Sequence, residues 1–404
     1  MSEASPNLAS RLTASGRLTV WVSALLPIVA LALLLSIFAF GNPLAMFTAA
    51  VPPIEDLTVE RIEVTPGGFR LSVINGGPEP VTIAQVMVDD AYWVFDISPN
   101  ARLGRLERAT ITLNYPWVEG EPNAIVLVTE TGTTFEADVP VAVETPRPGL
   151  REFSAYGLLG VYVGILPVAL GLLWFPAMRR MGQRGLGALL ALTVGLLIFL
   201  LVDTLLEALE VAAAVPGVFQ GVPLVFLSAL IAWLVIAAVS SRRPEAGRDT
   251  PAGRLWIAAM IALGIGLHNL GEGLAIGAAF SLGEAALGSF LVIGFTLHNI
   301  TEGVGIAAPV TRDRPTLATF VGLALLAGAP AIVGAWIGGL AYSALLATVF
   351  LGVGAGAIWQ VVVEVWGLLK RSAEREGRPA INWLNTAALV AGIGIMYVTA
   401  FLVK

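Results

Sequence analysis

The feature that most constrains the fold of this chain is a series of apolar runs, each about as long as a transmembrane helix. One run covers residues 18–40, and the others follow residue 150. They lie at about residues 154–176, 185–206, 219–240, 255–280, 285–309, 316–340, 343–369 and 382–403. A helix needs about 20 apolar residues to cross a bilayer. Because 56% of the residues are hydrophobic and 13% are charged, we predict a polytopic α-helical membrane protein, an eight-helix bundle plus one N-terminal transmembrane helix.

The N-terminal run could serve as a signal peptide or as a membrane anchor. It is closer in length to a full span than to the apolar region of a signal peptide, and no clean cleavage site follows it. We therefore expect an uncleaved anchor at residues 18–40, preceded by a cytoplasmic segment at residues 1–17.

Basic residues occur in alternate connections between the apolar runs. They are Arg179, Arg180 and Arg184; Arg242, Arg243, Arg248 and Arg254; Arg312 and Arg314; and Lys370, Arg371, Arg375 and Arg378. Short cytoplasmic loops are enriched in Lys and Arg. This pattern predicts a plasma or inner membrane protein with a cytoplasmic N-terminus, and with residues 55–148 and the C-terminus on the extracytoplasmic side.

Residues 55–148 differ in character from the rest of the chain. Apolar and polar residues alternate in short segments, which are separated by Gly, Pro and Asn turns. The predicted strands are residues 57–64, 69–74, 82–88, 109–113, 125–129 and 134–139. These are six of the roughly seven strands expected for a small, Ig-like, all-β sandwich inserted before the bundle.

Only two histidines occur in the chain, and each belongs to a copy of the same short motif inside an apolar run, at Leu267–Gly273 and Leu297–Gly303. In both copies a His and a Glu are four residues apart, so one helix face presents an imidazole and a carboxylate. The connection at residues 281–285 is short enough to make the two runs antiparallel neighbours with the motifs at similar depth. Such nitrogen and oxygen donors suit Zn²⁺ and related ions. The predicted ligands are His268, Glu272, His298 and Glu302, with the amides of Asn269 and Asn299 beside them.

Two further polar pairs lie within the apolar runs, Asp203 with Glu207 and Gln360 with Glu364. A charged group at the bilayer centre costs at least about 2.5–3.5 kcal/mol on insertion scales, so each needs a compensating role. Metal binding is one such role; for Glu207 and Gln360, a structural contact or a position at the headgroups is an equal alternative. The chain contains no cysteine, which excludes thiolate ligands, and its net charge of -6 argues against a nucleic-acid partner.

At these residues the chain resembles the ZIP (Zrt/Irt-like) family of divalent metal transporters, in its bacterial zinc-uptake and GufA-like branch. The resemblance covers about residues 152–404. The two motifs are similar to the family's paired His-Asn-x-Pro-Glu-Gly sequences on its fourth and fifth helices. Weaker similarities are residues 203–207 on the second helix, Gly328–Pro330 on the sixth and residues 361–364 on the seventh. The resemblance implies an eight-helix metal transport domain that begins and ends outside.

The resemblance also implies roles for the site residues. His268, Glu272, His298 and Glu302 would form the primary transport site, and Asn269 and Asn299 would belong to a second metal position that shares the glutamates. The chain departs from the family pattern at four positions, Asp203, Gly271, Thr301 and Ala329. Because Ala329 replaces a carboxylate on the sixth helix, we expect one dominant ion site.

The leading hypothesis is transport of a divalent transition metal toward the cytoplasm by alternating access. Zn²⁺ is the first expected substrate, with Fe²⁺, Mn²⁺ and Cd²⁺ as further candidates. No catalysis and no organic cofactor are expected, and the partners are the ion and the lipid bilayer. Two alternatives stay open: a membrane-embedded zinc metalloenzyme and a metal-sensing receptor that uses the external domain. A homodimer and a ligand or protein for the β-domain also stay open.

Overall fold

The computed structural model describes residues 14–41, 54–242 and 250–403. It divides into two compact units, Met1–Ile54 and Glu55–Lys404. In the first unit the helix α1, Ala14–Gly41, covers the predicted anchor at residues 18–40. Residues 1–13 of the predicted cytoplasmic segment lie outside the described residues. The role of α1 as a membrane anchor stays a prediction.

The second unit begins with a small all-β domain of two antiparallel sheets. Its strands are β1 (Leu57–Thr65), β2 (Gly68–Asn75), β3 (Val81–Val88), β4 (Ala91–Trp93), β5 (Phe95–Ser98), β6 (Arg102–Leu103), β7 (Arg108–Asn114), β8 (Asn123–Thr129) and β9 (Thr134–Val139). One sheet has the order β1-β2-β7-β5, and the other has the order β4-β3-β8-β9 with β6 also paired to β3. The predicted β-sandwich is confirmed.

All six strands placed from the sequence are present, and the structure adds β4, β5 and β6. The added strands have two to four residues, too few for an alternating pattern to be recognised. Alternation of apolar and polar residues identifies a strand when one face of its sheet is buried. Phe69, Leu71 and Ile111 lie on such a face, point into the core and are fully buried. The β3–β4 turn places Asp89 and Asp90 at positive φ, as a two-residue hairpin requires.

Eight helical segments long and apolar enough to cross a membrane follow the β-domain within the described residues. They comprise α2 (Leu150–Met178), α3 (Gln183–Ala213), α4 (Gly221–Ser241), α5 (Pro251–Ser281), α6 (Ala285–Ala307), α7 (Leu317–Gly328), α8 (Pro330–Ala341), α9 (Ala344–Arg375) and α10 (Trp383–Val403). Each of the eight apolar runs predicted after residue 150 corresponds to one of these segments, so the eight-span prediction is confirmed. The sixth span consists of two helices, because Pro330 cannot donate a backbone hydrogen bond and breaks the segment after Gly328.

The ends of the helices follow local sequence signals. The Thr250 hydroxyl caps α5 by accepting a hydrogen bond from the backbone N–H of Gly253 at 3.1 Å, and Pro251 occupies the first turn. Thr316 caps α7 in the same way, through the N–H of Thr319. These caps determine where α5 and α7 begin.

The helix α5 is the centre of the bundle. It packs against α6, α7, α8 and α9. In its most apolar 18-residue stretch, 78% is buried, the largest share among the spans described. Its contact with α8 is close because Gly273 has no side chain: a Cβ there would lie 2.1 Å from the carbonyl oxygen of Ala331. This packing buries the first of the two histidine motifs inside protein.

The β-domain lies at the end of the bundle where the connections have no arginine. Val143 contacts the turn at Gly283, and Gly76 faces Pro216. Between the two parts is a cavity of about 700 Å³, which Glu284 and Tyr342 also line. The arginine-bearing connections are at the opposite ends of the same helices. The β-domain and the arginines therefore mark opposite ends of the bundle.

Candidate metal site

Three ligand residues of the two motifs meet between α5 and α6. One ligand atom from each of His268, Glu272 and His298 lies within 4.8 Å of the others. All three side chains are buried, with exposed fractions of 3%, 3% and 8%. We call these residues the three-residue cluster. His268 lies 13 residues before the end of α5 and His298 lies 13 residues after the start of α6, so the antiparallel pair brings them to the same depth.

Glu272 is the hub of this cluster. Its Oε1 contacts the Nε2 atoms of both imidazoles, with a distance of 2.9 Å to His268 and a shorter contact to His298. Its Oε2 accepts a hydrogen bond from the Asn299 amide at 3.1 Å. Each carboxylate oxygen is therefore directed by a neighbouring donor, which orients the group precisely.

The two asparagines of the motifs are anchored in a similar way. The Nδ2 of Asn269 donates to the carbonyl oxygen of Ala327 at 3.0 Å, and the Nδ2 of Asn299 donates to that of Val163 at 3.1 Å. Both side chains are fully buried. Their Oδ1 atoms have no hydrogen-bond partner among the residues that the structure describes. Each amide is thus fixed through its nitrogen and presents an unused oxygen.

Glu302 is buried but does not join the three-residue cluster. It is 3% exposed, and the Asn269 amide faces its carboxylate, but neither oxygen accepts a hydrogen bond of ordinary length and angle from the described residues. It lines a cavity of about 10 Å³ together with Thr193 and Leu197 of α3 and Met396 of α10. An ionised carboxylate in such surroundings is costly unless a cation compensates it.

The predicted residues Asp203 and Glu207 lie on α3, outside the three-residue cluster. Both are partly buried. Glu207 is close to the connection that contains Tyr342. Burial raises the pKa of Tyr342, and the charges of Glu207 and Glu284 raise it further. This places Glu207 toward the β-domain end of the bundle.

Gln360 and Glu364 form a separate polar group on α9. Gln360 donates to Glu364 at 3.3 Å, and the Ser240 hydroxyl of α4 donates to the same carboxylate oxygen at 2.6 Å. The residue of α9 that faces His268 is Gly354. Since a helix rises about 1.5 Å per residue, Gln360 and Glu364 lie about 9 and 15 Å further toward the arginine-bearing end.

Sequence reasoning did not identify the backbone groups that orient the asparagines. Val163 belongs to a π-helical turn at Val161–Ile165, and Ala327 lies beside the break between α7 and α8. Irregular turns of this kind often occur at functional sites, where they re-aim backbone groups. The sequence predicts the sixth span as one run at residues 316–340, so it identifies neither the break at Pro330 nor the π-helical turn.

The donor set fits a divalent cation of the Zn²⁺ type. Two imidazoles and a carboxylate are common zinc ligands, and bond lengths of about 2.0–2.2 Å place tetrahedral ligand atoms about 3.3–3.6 Å apart. Ligand atoms within 4.8 Å of one another need only small side-chain movements to reach that spacing. Because the Nε2 atoms now point at Glu272, an ion bound between these groups would displace their protons.

Residues 237–400 match the family model described as ZIP zinc transporter. The matched stretch contains both histidine motifs and covers the end of α4 and all of α5 to α9. The chain has no significant match among curated proteins. The stretch from residue 237 to residue 400 is therefore a ZIP-family domain, and the family supports membrane transport of zinc or other divalent metals.

Proposed function

We propose that this multi-pass membrane protein, with its ZIP-family domain at residues 237–400, transports Zn²⁺ through a site built from the two histidine motifs. The proposed primary ligands are His268, Glu272, His298 and Glu302. Asn269 and Asn299 supply the adjacent amide oxygens. Fe²⁺, Mn²⁺ and Cd²⁺, which take similar ligands, are the competing substrates.

The observation that carries this proposal is the set of buried acceptor atoms without partners around the motifs. They are His268 Nδ1, Asn269 Oδ1, Asn299 Oδ1 and both carboxylate oxygens of Glu302, counted among the described residues. Buried polar atoms in proteins are nearly always hydrogen-bonded. Five unpartnered lone-pair donors on two adjacent helices are what a cation pathway needs and what a purely structural polar network avoids.

The geometry supports a two-stage passage. The helix α5 runs toward the β-domain end and α6 runs away from it, so Glu272 is the ligand nearest that end and Glu302 is the ligand nearest the arginine-bearing end. An ion would first replace its water with Glu272 and the two imidazoles. It would then shift about one helical turn to Glu302, and movement of the surrounding helices would open the second side.

The orientation follows from the arginines and the β-domain. We propose that the arginine-bearing connections are cytoplasmic, that residues 55–148 and the C-terminus are extracytoplasmic, and that uptake is directed into the cell across the plasma or inner membrane. The domain division at residues 1–17, 18–40, 55–148 and 152–404 is part of the same proposal. The site needs no organic cofactor, and we propose that the protein is a carrier and not an enzyme. A homodimer and a ligand of the β-domain stay predictions.

Uptake of metal into proteoliposomes that contain the full chain tests the proposal. Vesicles loaded with a zinc-sensitive dye should show uptake of Zn²⁺ that saturates with concentration, and Cd²⁺, Mn²⁺ and Fe²⁺ as competitors should rank the substrates. The variant His268→Ala with Glu302→Ala should abolish this uptake. Unchanged uptake in that variant would show that the two motifs are not the transport site.

The control replaces a polar group of similar burial outside the motifs. Gln360 is 6% exposed and hydrogen-bonds within α9, and Gln360→Ala should leave most of the uptake intact. Equal losses in both variants would point to general damage of the bundle.

A further inference from the structure

A small pocket at the arginine-bearing end of the bundle is lined by four arginines from three parts of the chain. Arg254 comes from the first turn of α5, Arg312 follows α6, and Arg371 and Arg375 lie in the last two turns of α9. Thr311 and Ser372 add hydroxyl groups to the lining. Among the described residues, no carboxylate lines this pocket.

Within the part of the chain that the structure describes, Asp313 is paired with one of these arginines. The Arg254 guanidinium donates to both of its carboxylate oxygens, with its Nε at 2.8 Å from Oδ2. This pair holds Arg254 in place, since the two side chains are only 19% and 14% exposed. Arg371 and Arg375 also take part in other polar interactions. The arginines are therefore arranged before any ligand arrives, which lowers the entropic cost of binding.

The pocket has an apolar floor below the basic rim. Leu186 and Leu190 of α3, Ile257 of α5 and Leu368 of α9 form that floor. The volume is about 60 Å³, several times the roughly 10–15 Å³ that one water molecule needs on this measure. A single phosphate group is of this size, whereas a nucleotide or a peptide is far larger.

We propose that this arginine pocket binds a phosphate-bearing anion, with the headgroup phosphate of an acidic phospholipid as its principal source. Guanidinium groups match phosphate oxygens through paired hydrogen bonds. Basic pockets between transmembrane helices at the membrane surface are suited to acidic lipid headgroups, and the apolar floor would contact the adjoining part of the lipid. A phosphate held here would connect the arginine-bearing ends of α5, α6 and α9, and α5 and α6 carry the proposed transport site.

Thermal unfolding of the purified full chain in a neutral detergent, followed by tryptophan fluorescence, tests this site. The probes are dioctanoyl phosphatidylglycerol, inorganic phosphate, and dioctanoylglycerol, which has the acyl chains but no phosphate. We expect phosphatidylglycerol to raise the melting temperature at low concentration, phosphate to do so only at much higher concentration, and dioctanoylglycerol to have no effect. Equal potency of phosphate and the lipid would support the phosphate site and assign it to free phosphate.

The test variant is Arg312→Gln with Arg375→Gln. Both side chains are exposed, so their replacement should leave the fold intact, and the unfolding curve without ligand verifies this. Loss of two arginines should raise the half-saturating concentration of phosphatidylglycerol at least about tenfold, since each basic residue near an acidic lipid contributes about 1 kcal/mol.

The matched control is Arg314→Gln, an exposed arginine of the same connection that does not line the pocket. Its half-saturating concentration should stay within about twofold of the wild-type value, which is the effect of a single distant charge. The proposal is overturned if neither phosphate-bearing probe stabilises the protein, if the double variant binds phosphatidylglycerol like the wild type, or if Arg314→Gln loses as much affinity.

Discussion

Glu272 and Glu302 hold the same position in the two histidine motifs, yet their carboxylates differ in their hydrogen-bond partners. Glu272 is contacted by both imidazoles and by the Asn299 amide. Glu302 is equally buried, but its oxygens have no partner within the described chain. Two motifs that share five of seven residues have therefore produced one carboxylate with three polar partners and one whose oxygens have no hydrogen-bond partner among the described residues.

The antiparallel arrangement of α5 and α6 separates the two glutamates. Because His268 and His298 lie at the same depth, Glu272 lies one turn toward the β-domain end and Glu302 lies one turn toward the arginine-bearing end. The side-chain conformations of the histidines produce the difference, since both Nε2 atoms point at Glu272. Under the proposed function, Glu272 helps to form the primary site and Glu302 is the next ligand on the path.

The largest expected effect comes from removing the hub charge. Glu272→Gln keeps the shape of the side chain but removes the charge that the two imidazoles share. We expect Zn²⁺ uptake by proteoliposomes to fall by at least about 100-fold, beyond the 10–100-fold typical for residues that only support a ligand. Uptake within a few fold of wild type would show that Glu272 is not a ligand.

Glu302→Gln should separate stability from transport. An amide in place of this buried carboxyl removes a group whose ionised form is costly where no cation is bound. We expect the melting temperature of the metal-free protein to rise by about 1 °C, which corresponds to a gain of about 1 kcal/mol in a chain of 404 residues. Zn²⁺ uptake should fall at least about tenfold, one ligand contact being lost.

This pair of measurements can break the comparison of the two glutamates. If Glu302→Gln destabilises the metal-free protein, Glu302 has hydrogen-bond partners there and the contrast with Glu272 is wrong.

The asparagines should sharpen the same comparison. Both anchor a backbone carbonyl, but Asn299 also donates to Glu272. Asn299→Ala should therefore weaken Zn²⁺ binding more than Asn269→Ala, by about the factor of ten that one hydrogen bond to a charged group represents. Isothermal titration of the two variants in detergent gives the ratio directly, and a ratio near one would contradict the role of Asn299 in orienting the hub.

A change outside the motifs should have the smallest effect on transport. Glu364 accepts hydrogen bonds from Ser240 and Gln360 and lies about 15 Å along α9 from the residue facing His268. Glu364→Gln keeps an oxygen acceptor, so we expect the half-saturating concentration of Zn²⁺ to change by less than about threefold, which is less than about 0.7 kcal/mol. A larger change would extend the path of the ion to this group.

Asp89 lies in the β-domain, and its carboxylate accepts three hydrogen bonds. It therefore shows how a fully hydrogen-bonded carboxylate makes unfolding depend on pH. The backbone N–H of Ala124 lowers its pKa, with further hydrogen bonds from Asn123 and Tyr115. Because the folded pKa lies below the unfolded one, this contribution to stability is present above the unfolded pKa and is lost as pH falls through the folded pKa. Asp89→Asn should therefore reduce the dependence of unfolding on pH below about pH 4 without changing Zn²⁺ uptake.

Much of the fold could be predicted from the sequence, because its signals are local. The apolar runs after residue 150 located the eight candidate membrane spans of the described residues, and alternation located the six longer strands of the β-domain. The short strands β4 to β6 carry too few residues for a pattern. The division of the sixth span into α7 and α8 follows from Pro330, but the direction in which the break turns its carbonyl groups depends on the helices packed around it.

The sequence by itself determined the chemistry of the site: two histidines, two glutamates and two asparagines at helical spacing, inside segments too apolar to leave charges without a role. Only the tertiary structure decided which of these groups contact one another. It placed both imidazoles on Glu272, left Glu302 without a partner among the described residues, and used the carbonyl groups of Val163 and Ala327 to aim the amides. The physical reason is that spacing along one helix determines which side chains share a face, whereas the direction and depth of the neighbouring helices determine which faces meet.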